Sequence, residues 1–496
     1  MRPHSAPSIA IAVLFFLHLS AVLTLGWVLN IWIDEAYTLH TTSAGLLQGI
    51  QRALRFELQP PLYFALLSVW RLASDSIFWS RLFSIGCAAA TLWTFIPLSR
   101  HYLKGISPLW LVSAGAANFF LIWAATEIRL YSLAILISAL LWWNLDRTFL
   151  RGSITRGGIA LHGILAALAL YTQYYLGFLL VGHFAGLAAS RRWKEAGRYL
   201  VSMAFAAVLF LPMAGQVLSQ VGGHAPSSVE SMSVPQIVAA CYNRAFDYVI
   251  PLFAIPPGYR LVPRLLLTAA AFALLFRARE RVDGRSLLIW ASLLVTGLFF
   301  FPLFSLTGAE LLLPRHTAVL FVGSLLGLFR LTILASEKHR SRILGAFLAL
   351  ILLSNVSYLA VTYLPLAKTG DYSRAARLIE REEEPGQPIF LFNAEAALPF
   401  GHYYHGANDL HPIPREEDFE KYDLEEFQIE DRNQLEELWS GIGPHRRAWL
   451  VDNGWCGYLG TDYGCDVLGA FIADHYRAVE TYSLYRMEIT LLESRD

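Results

Sequence analysis

The sequence predicts an α-helical polytopic membrane protein of about eleven transmembrane helices plus interfacial helices, followed by a small α/β domain. Three observations carry this. Of the 496 residues, 55% are hydrophobic and 16% charged, and mean hydropathy is +0.44. Soluble domains carry roughly a quarter charged residues. Apolar runs of spanning length recur through the first three-quarters of the chain, and the acid-rich sequence lies almost wholly after residue 368. Lys plus Arg and Asp plus Glu both number 39, so no overall basic charge points to nucleic acid.

The first run, within 8–30, is longer than a signal-peptide core of roughly 7–15 residues and is read as an uncleaved helix. Further runs follow at 80–99, 107–125, 129–147, 158–174, 175–190, 199–218, 261–276, 286–306, 314–334 and 343–364. Lys and Arg cluster in alternate connections, namely "RHYLK", "DRTFLRGSITR", "RRWKEAGR", "RARERVDGR" and "EKHRSR". The positive-inside rule puts these in the cytoplasm. Asp34-Glu35, Glu127, "YTQYY", the loop 219–260, Glu310 and the tail then face outward. "PPLYFALLSVWRLA" at 60–73 is too short to span and contains Arg71, so a helix lying in the outer interface is expected there.

The chain divides into 1–365, in the membrane of the cell (plasma or inner membrane), and 366–496, an extracytoplasmic domain. In the second part "DYSRAARLIEREEE" has helical spacing, "PIFLFN" and "RAWLVDNG" read as strands ending in turns, and 477–493 suggests a closing pair of strands. Cys456 and Cys465 flank a Gly-rich loop and are expected to form a disulfide outside the cytoplasm. Cys87 and Cys241 lie in or near apolar segments and pack.

Chemistry concentrates at the outward span ends. "NIWIDEAYTLH" leaves the first span with Asp34 and Glu35 between Trp32 and Tyr37, and "ATEIRLYSL" places Glu127 and Arg129 at another span mouth. As bland interface markers these acids end helices, with the aromatics as a belt. As a site, two acids from separate loops at one depth share a task, which would explain charged groups held at a bilayer boundary. Arg81, Arg129 and Arg315 stand at the same level; each alone reads as snorkelling, and together they suit a lipid phosphate.

The motifs "DEA-Y", "PPLYF-LL--W", "RLFS", "E-RLYSL", "YTQYY" and "PRHT", in that order, resemble the GT-C superfamily of polytopic glycosyltransferases. The nearest group is the branch of protein-O-mannosyltransferases, aminoarabinose transferases and RgtB-like enzymes. The resemblance spans residues 8 to about 365 and extends weakly into the tail. It implies a polyprenyl-phosphate sugar as donor and a lipid, glycan or protein acceptor on the outer membrane face. It aligns Asp34 with the first-loop catalytic acid, Glu35 with its neighbour, Glu127 with the second-loop acid, and Arg81 and Arg315 with phosphate-side arginines. Gln59 stands where relatives have His or Lys before the Pro pair, so that position adds no charge.

On this reading Asp34 is the base of a single inverting displacement, and Glu127 orients the acceptor or shares a divalent cation with Asp34; orientation ranks first because no compact ligand cluster is visible. Trp32, Tyr37, Tyr131 and Tyr174 line the sugar or acceptor pocket. Glu35→Gln is expected to be milder than Asp34→Asn, since neighbours on an extended loop point apart. The other readings are a lipid-glycan transporter, whose ionisable groups would sit mid-span, and a catalytically silent scaffold with an outward binding domain.

Overall fold

The computed structural model describes residues 6–151, 154–223, 233–236, 248–252, 255–307, 315–335, 337–458 and 461–495. Glu310, Cys241 and most of the loop 219–260 lie outside the described residues.

The first span is α1 (Ala6–Val28). Three short helices follow it: α2 (Ile33–Thr41), α3 (Leu46–Arg55) and α4 (Leu62–Trp70). The next spans are α5 (Ile77–Tyr102), the bent pair α6 (Leu109–Ala116) and α7 (Phe119–Thr126), and α8 (Tyr131–Leu145). Then come α9 (Arg156–Thr172), α10 (Leu176–Ala189) and α11 (Trp193–Phe210), with α12 (Ala214–Gly223) beyond. The last four are α13 (Leu261–Ala278), α14 (Gly284–Thr307), α15 (Phe321–Ala335) and α16 (Arg340–Tyr363). Among the described residues seven helices are long and apolar enough to cross a membrane, and the bent α6–α7 pair makes an eighth. Three shorter apolar helices, Arg156–Thr172, Leu176–Ala189 and Gly284–Phe300, fill the other expected runs. The protein is a multi-pass membrane protein.

The departures from regularity have local causes. The 54° bend between α6 and α7 falls at Asn118, whose side chain accepts from the Phe120 and Leu121 amides and donates to the Tyr248 carbonyl at 2.7 Å. It caps α7 and satisfies donors that a broken helix would otherwise leave bare. Gly182 and Gly186 let α10 touch α14 directly: a Cβ on either would lie 2.5 Å from a backbone oxygen of that helix, the Ser292 and Leu288 carbonyls respectively. Small residues four apart permit this approach.

The segment 60–73 is α4 plus a turn of 3-10 helix, Arg71–Ala73. Twelve helical residues reach only about 18 Å, short of the hydrocarbon thickness. Leu66, Val69 and Leu72 are exposed, while Arg71 turns inward to the Leu39 carbonyl (2.6 Å) and Thr42 Oγ1 (2.7 Å). Trp70 and Trp79 stack and each donates its indole N–H to the other's carbonyl at 2.9 Å, fixing this helix to the start of α5.

After α16 the chain forms α17 (Tyr372–Glu382), β1 (Ile389–Phe392), α18 (Ala397–Gly401), β2 (Leu410–Ile413), α19 (Arg432–Ile442) and β3 (Arg447–Asp452). A small hairpin, β4 (Gly457–Tyr458) and β5 (Thr461–Asp462), precedes α20 (Cys465–His475), β6 (Tyr476–Leu484) and β7 (Met487–Ser494). The five-stranded sheet has the order β2-β1-β3-β7-β6. β1 pairs in parallel with β2 and β3; β7 is antiparallel to β3 and β6. Cys456 and Cys465 are disulfide-bonded across the small hairpin, with Cα atoms 5.4 Å apart; Cys87 is free and buried.

The two expected parts share a core. Ile33, Tyr37 and Phe56, from the segment between α1 and α4, belong to the hydrophobic cluster built around Phe390, Phe392, Trp449 and Ile489 of the sheet. The tail is thus packed onto α2.

Candidate active site

The segment after α1 is a helix, not the extended loop expected from sequence. α2 carries Asp34 and Glu35 in its first turn, where carboxylates complement the helix dipole. Successive helical residues diverge by about 100°, and the consequences differ for each side chain.

Asp34 is the accessible one, with about a fifth of its side chain exposed. Arg315 Nη1 lies 2.9 Å from its Oδ2, and Arg129 Nε lies 4.0 Å from the same oxygen. Arg315 also sits over the Trp32 ring, 5.7 Å from its centroid, and Gln173 donates to the Arg315 carbonyl at 3.2 Å. Arg129 donates to Thr38 Oγ1 (2.9 Å) and the Asp34 carbonyl (3.2 Å) and pairs with the buried Glu57. The Nε atoms of Arg129 and Arg315 are buried and have no hydrogen-bond partner among the described residues. A buried donor without an acceptor costs about 1–3 kcal/mol. Arg315 and Asp34 keep 17% and 20% of their side chains exposed, so a further oxygen-bearing anion can approach the guanidinium from the open side of this pair.

Glu35 points the other way and is fully buried. It accepts from Arg81 at 3.1–3.3 Å, from Lys368 Nζ at 2.8 Å and from the Ile128 amide at 3.0 Å. Glu127, also buried, takes Lys368 Nζ at 2.8 Å and the Trp32 indole N–H at 2.6 Å. Burial raises the proton affinity of both carboxyls. At Glu35, Arg81 and Lys368 outweigh burial and hold it below the usual range. At Glu127, burial and the Glu35 charge prevail over Lys368 and hold it above.

The structure brings all six predicted charged residues into one cluster, but three of them, Arg81, Glu35 and the 1%-exposed Glu127, do not take the expected positions. Arg81, expected at a lipid phosphate, is fully buried, and its guanidinium is filled by Glu35 and the carbonyls of Gly26, Leu29 and Asn30 at 2.6–2.9 Å. A phosphate cannot reach it in this arrangement. Glu35 likewise offers no face to a substrate. Tyr37, expected in the sugar pocket, turns to the tail, where its hydroxyl donates to Glu395 and its ring meets Phe56 edge-on. Tyr131 is buried and stacks on Trp123 at 5.0 Å, and the half-buried Tyr174 donates to Gln220 Oε1 at 3.0 Å. Gln59 is half-buried in the turn before Pro60, its backbone N–H donating to the Ala53 carbonyl at 2.9 Å.

Lys368, Glu57 and Glu395 were not anticipated. Each has a partner 72 to 358 residues away, a relation that no local pattern carries. Among the described residues no group of three or more His, Cys, Asp or Glu is arranged to hold a metal. The carboxylates of Asp34 and Glu127 are instead paired with Arg315 and Lys368, a donor set that does not suit a shared divalent cation.

Comparison with known proteins bears on the fold. No protein-family model and no curated protein sequence matches the chain. Among solved structures, ArnT from Cupriavidus metallidurans, an aminoarabinose transferase, matches in its apo state with a TM-score of 0.57 at 14% identity. That match covers 98% of this chain and 97% of the other. ArnT bound to undecaprenyl phosphate matches with a TM-score of 0.56, at the same identity and coverage. The oligosaccharyltransferase of Archaeoglobus fulgidus, tethered to an acceptor peptide, matches at 0.50 and 12% identity, over 97% of this chain and 73% of that one. The fold is GT-C. The match to ArnT takes in both parts of the chain, the helical bundle and the sheet domain packed on α2.

Proposed function

We propose that this protein is an inverting glycosyltransferase, moving a sugar from a polyprenyl-phosphate-linked donor to a hydroxyl acceptor on the outer face of the membrane. The observation that carries the reading is the partly exposed pair of Asp34 and Arg315, 2.9 Å apart, with Arg129 at 4.0 Å from the same carboxylate oxygen. The support from outside is the shared fold, one solved example of which holds undecaprenyl phosphate.

The chemistry follows from the donor. The acceptor oxygen attacks the anomeric carbon, the carbon–oxygen bond to phosphate breaks, and that electron pair leaves with the polyprenyl phosphate. Phosphate is a weak base, so its departure needs positive charge rather than a proton, and Arg315 with Arg129 supplies it. The acceptor's proton goes to Asp34, a one-proton transfer of the kind worth roughly 10²–10⁴ in rate. A single displacement, with the acceptor oxygen entering opposite the departing phosphate, gives inversion. Trp32, held by Glu127 and capped by Arg315, forms a wall of the sugar site. The acceptor is a lipid, glycan or protein, and comparison of cell-envelope glycans by mass spectrometry with and without the gene identifies it.

The test is sugar transfer by purified protein in liposomes supplied with polyprenyl-phosphate sugars. Asp34→Asn is expected to cut turnover by about 10²–10⁴ while retaining donor binding. Full turnover of that variant removes Asp34 as the base, and failure of the wild type to release polyprenyl phosphate from every donor tried removes the reading.

A further inference from the structure

Lys368 follows the last span, in "LPLAKTGDY", and reads in sequence as an unremarkable cation at a helix exit. In the structure its side chain is 6% exposed and its ammonium has three oxygen partners: Glu35 Oε2 at 2.8 Å, Glu127 Oε1 at 2.8 Å and the Thr126 carbonyl at 3.0 Å. That uses all three N–H donors of a lysine. The Lys368 backbone is fixed too, its amide donating to Asn30 Oδ1 at 2.8 Å, while Asn30 Nδ2 donates to the Gly370 carbonyl at 2.8 Å.

The surroundings make this a closed charge set. Glu35 and Glu127 are 0% and 1% exposed, and the cations bonded to them are Arg81 and Lys368. Two negative and two positive charges cancel. The set draws on four separate segments: α2, α5, the turn after α7, and the first residues beyond α16. Its outer members lie next to the reacting groups. Glu35 adjoins Asp34 in α2, and Glu127 stands two residues before Arg129 in one turn.

We infer that Lys368 is a positioning residue: its ammonium ties the Asp34 helix to the Arg129 turn through Glu35 and Glu127, and Glu127 serves in this clamp rather than on the substrate. The inference rests on the transferase reading for its effect on rate. Without the ammonium, two buried carboxylates keep one bonded cation among the described residues, Arg81 on Glu35. A charge left uncompensated in such a place drives its neighbours apart or takes up a proton. The first outcome shifts Asp34 relative to Arg129 and Arg315, and a displacement of about 1 Å at reacting groups is worth about 100-fold in rate; the second restores neutrality and relieves the shift.

The test is a charge cycle in the full-length protein in liposomes: Lys368→Met, Glu127→Gln and the two combined. Lys368→Met is expected to lower kcat about 100-fold. The combined variant is expected to recover about tenfold or more of this, because the Arg81–Glu35 pair left behind is neutral. A second readout is pH. The charged and titratable groups facing Glu127 are Glu35, Arg81, Tyr363 and Lys368. With Lys368 gone, a proton on Glu127 restores neutrality, so Lys368→Met activity should rise as pH falls; the combined variant should lack that rise. A folded combined variant as slow as Lys368→Met overturns the inference, since Lys368 or Glu127 then acts on substrate directly. Wild-type activity in Lys368→Met overturns it as well. Melting temperatures of the same four proteins separate the two readings. If no donor supports transfer by the wild type, the transferase reading falls, and the clamp stands only if Lys368→Met melts early and the combined variant recovers.

Discussion

Asp34 and Glu35 are adjacent in the chain and opposite in circumstance, and burial is what separates them. Asp34 keeps part of its carboxylate in contact with solvent and one arginine at hydrogen-bond distance. Glu35 has none of its surface exposed and is bonded to two cations and an amide. The expectation that Glu35→Gln is milder than Asp34→Asn therefore reverses for stability. The amide keeps the shape but removes the charge that compensates Arg81 and Lys368, leaving an excess positive charge in a dry site. Breaking a buried pair from one side costs about 3–5 kcal/mol. Glu35→Gln is expected to melt well below wild type and to accumulate poorly, whereas Asp34→Asn should melt near wild type and lose turnover. Melting of both in one detergent checks this, and equal melting temperatures would count against a structural Glu35. The sequence made the acids conspicuous but not their division of labour, because it shows neither the helical turn between them nor Lys368, 333 residues away.

At the scale of elements, the spans were legible because each is a long apolar run with a basic loop at one end. α2 was not: its nine residues have no side-chain cap and mix Asp, Glu and Thr with Ile, Tyr and Leu, a pattern that mid-sized loops share. What makes it a helix is burial on two sides at once, with Ala36 and Leu39 in the membrane cluster and Ile33 and Tyr37 in the sheet cluster. The sidedness of the spans is a separate matter, set by charge. Loops 100–106, 147–157, 191–198, 277–285 and 337–342 carry the Lys and Arg excess and are expected in the cytoplasm. The exposed Glu280 and Glu437 test it in a variant without native cysteines. A membrane-impermeant thiol reagent added to intact cells should modify a cysteine at 437 and spare one at 280. The reverse pattern would put Asp34 in the cytoplasm, where the outward-face reaction fails with it.

At the scale of the whole molecule, the tail is part of the machinery that holds α2. Its mixed α and β character was readable from short apolar runs between turns. Its docking was not, since Tyr37 and Glu395 are 358 residues apart and each looks ordinary alone. Their contact is fully buried. Glu395 Oε1 accepts the Tyr37 hydroxyl and Oε2 accepts Asn393 Nδ2 at 2.9 Å. The contact includes no cation, so burial, only partly offset by those two bonds, pushes the Glu395 carboxyl up to about 7 from 4.5. The sign follows from proton binding. Between those values the unfolded chain gives up its proton while the folded one retains it, so folding loses stability as pH rises through this window. The stability is whole below about 4.5 and gone above about 7. A shift of this size corresponds to about 3 kcal/mol at most. Glu395→Gln keeps the shape and one acceptor oxygen for Tyr37, sets its NH2 against Asn393 Nδ2 and removes the titration, so it should melt lower throughout, but its melting temperature should fall less than that of wild type between pH 5 and 7.5. Glu417, also raised by burial, to about 8, contributes the same slope to both proteins and cancels in the comparison. Parallel melting curves for the two proteins would show that the Tyr37–Glu395 contact does not sense pH. A steeper fall for wild type would show that the tail grips the Asp34 helix most firmly in mild acid.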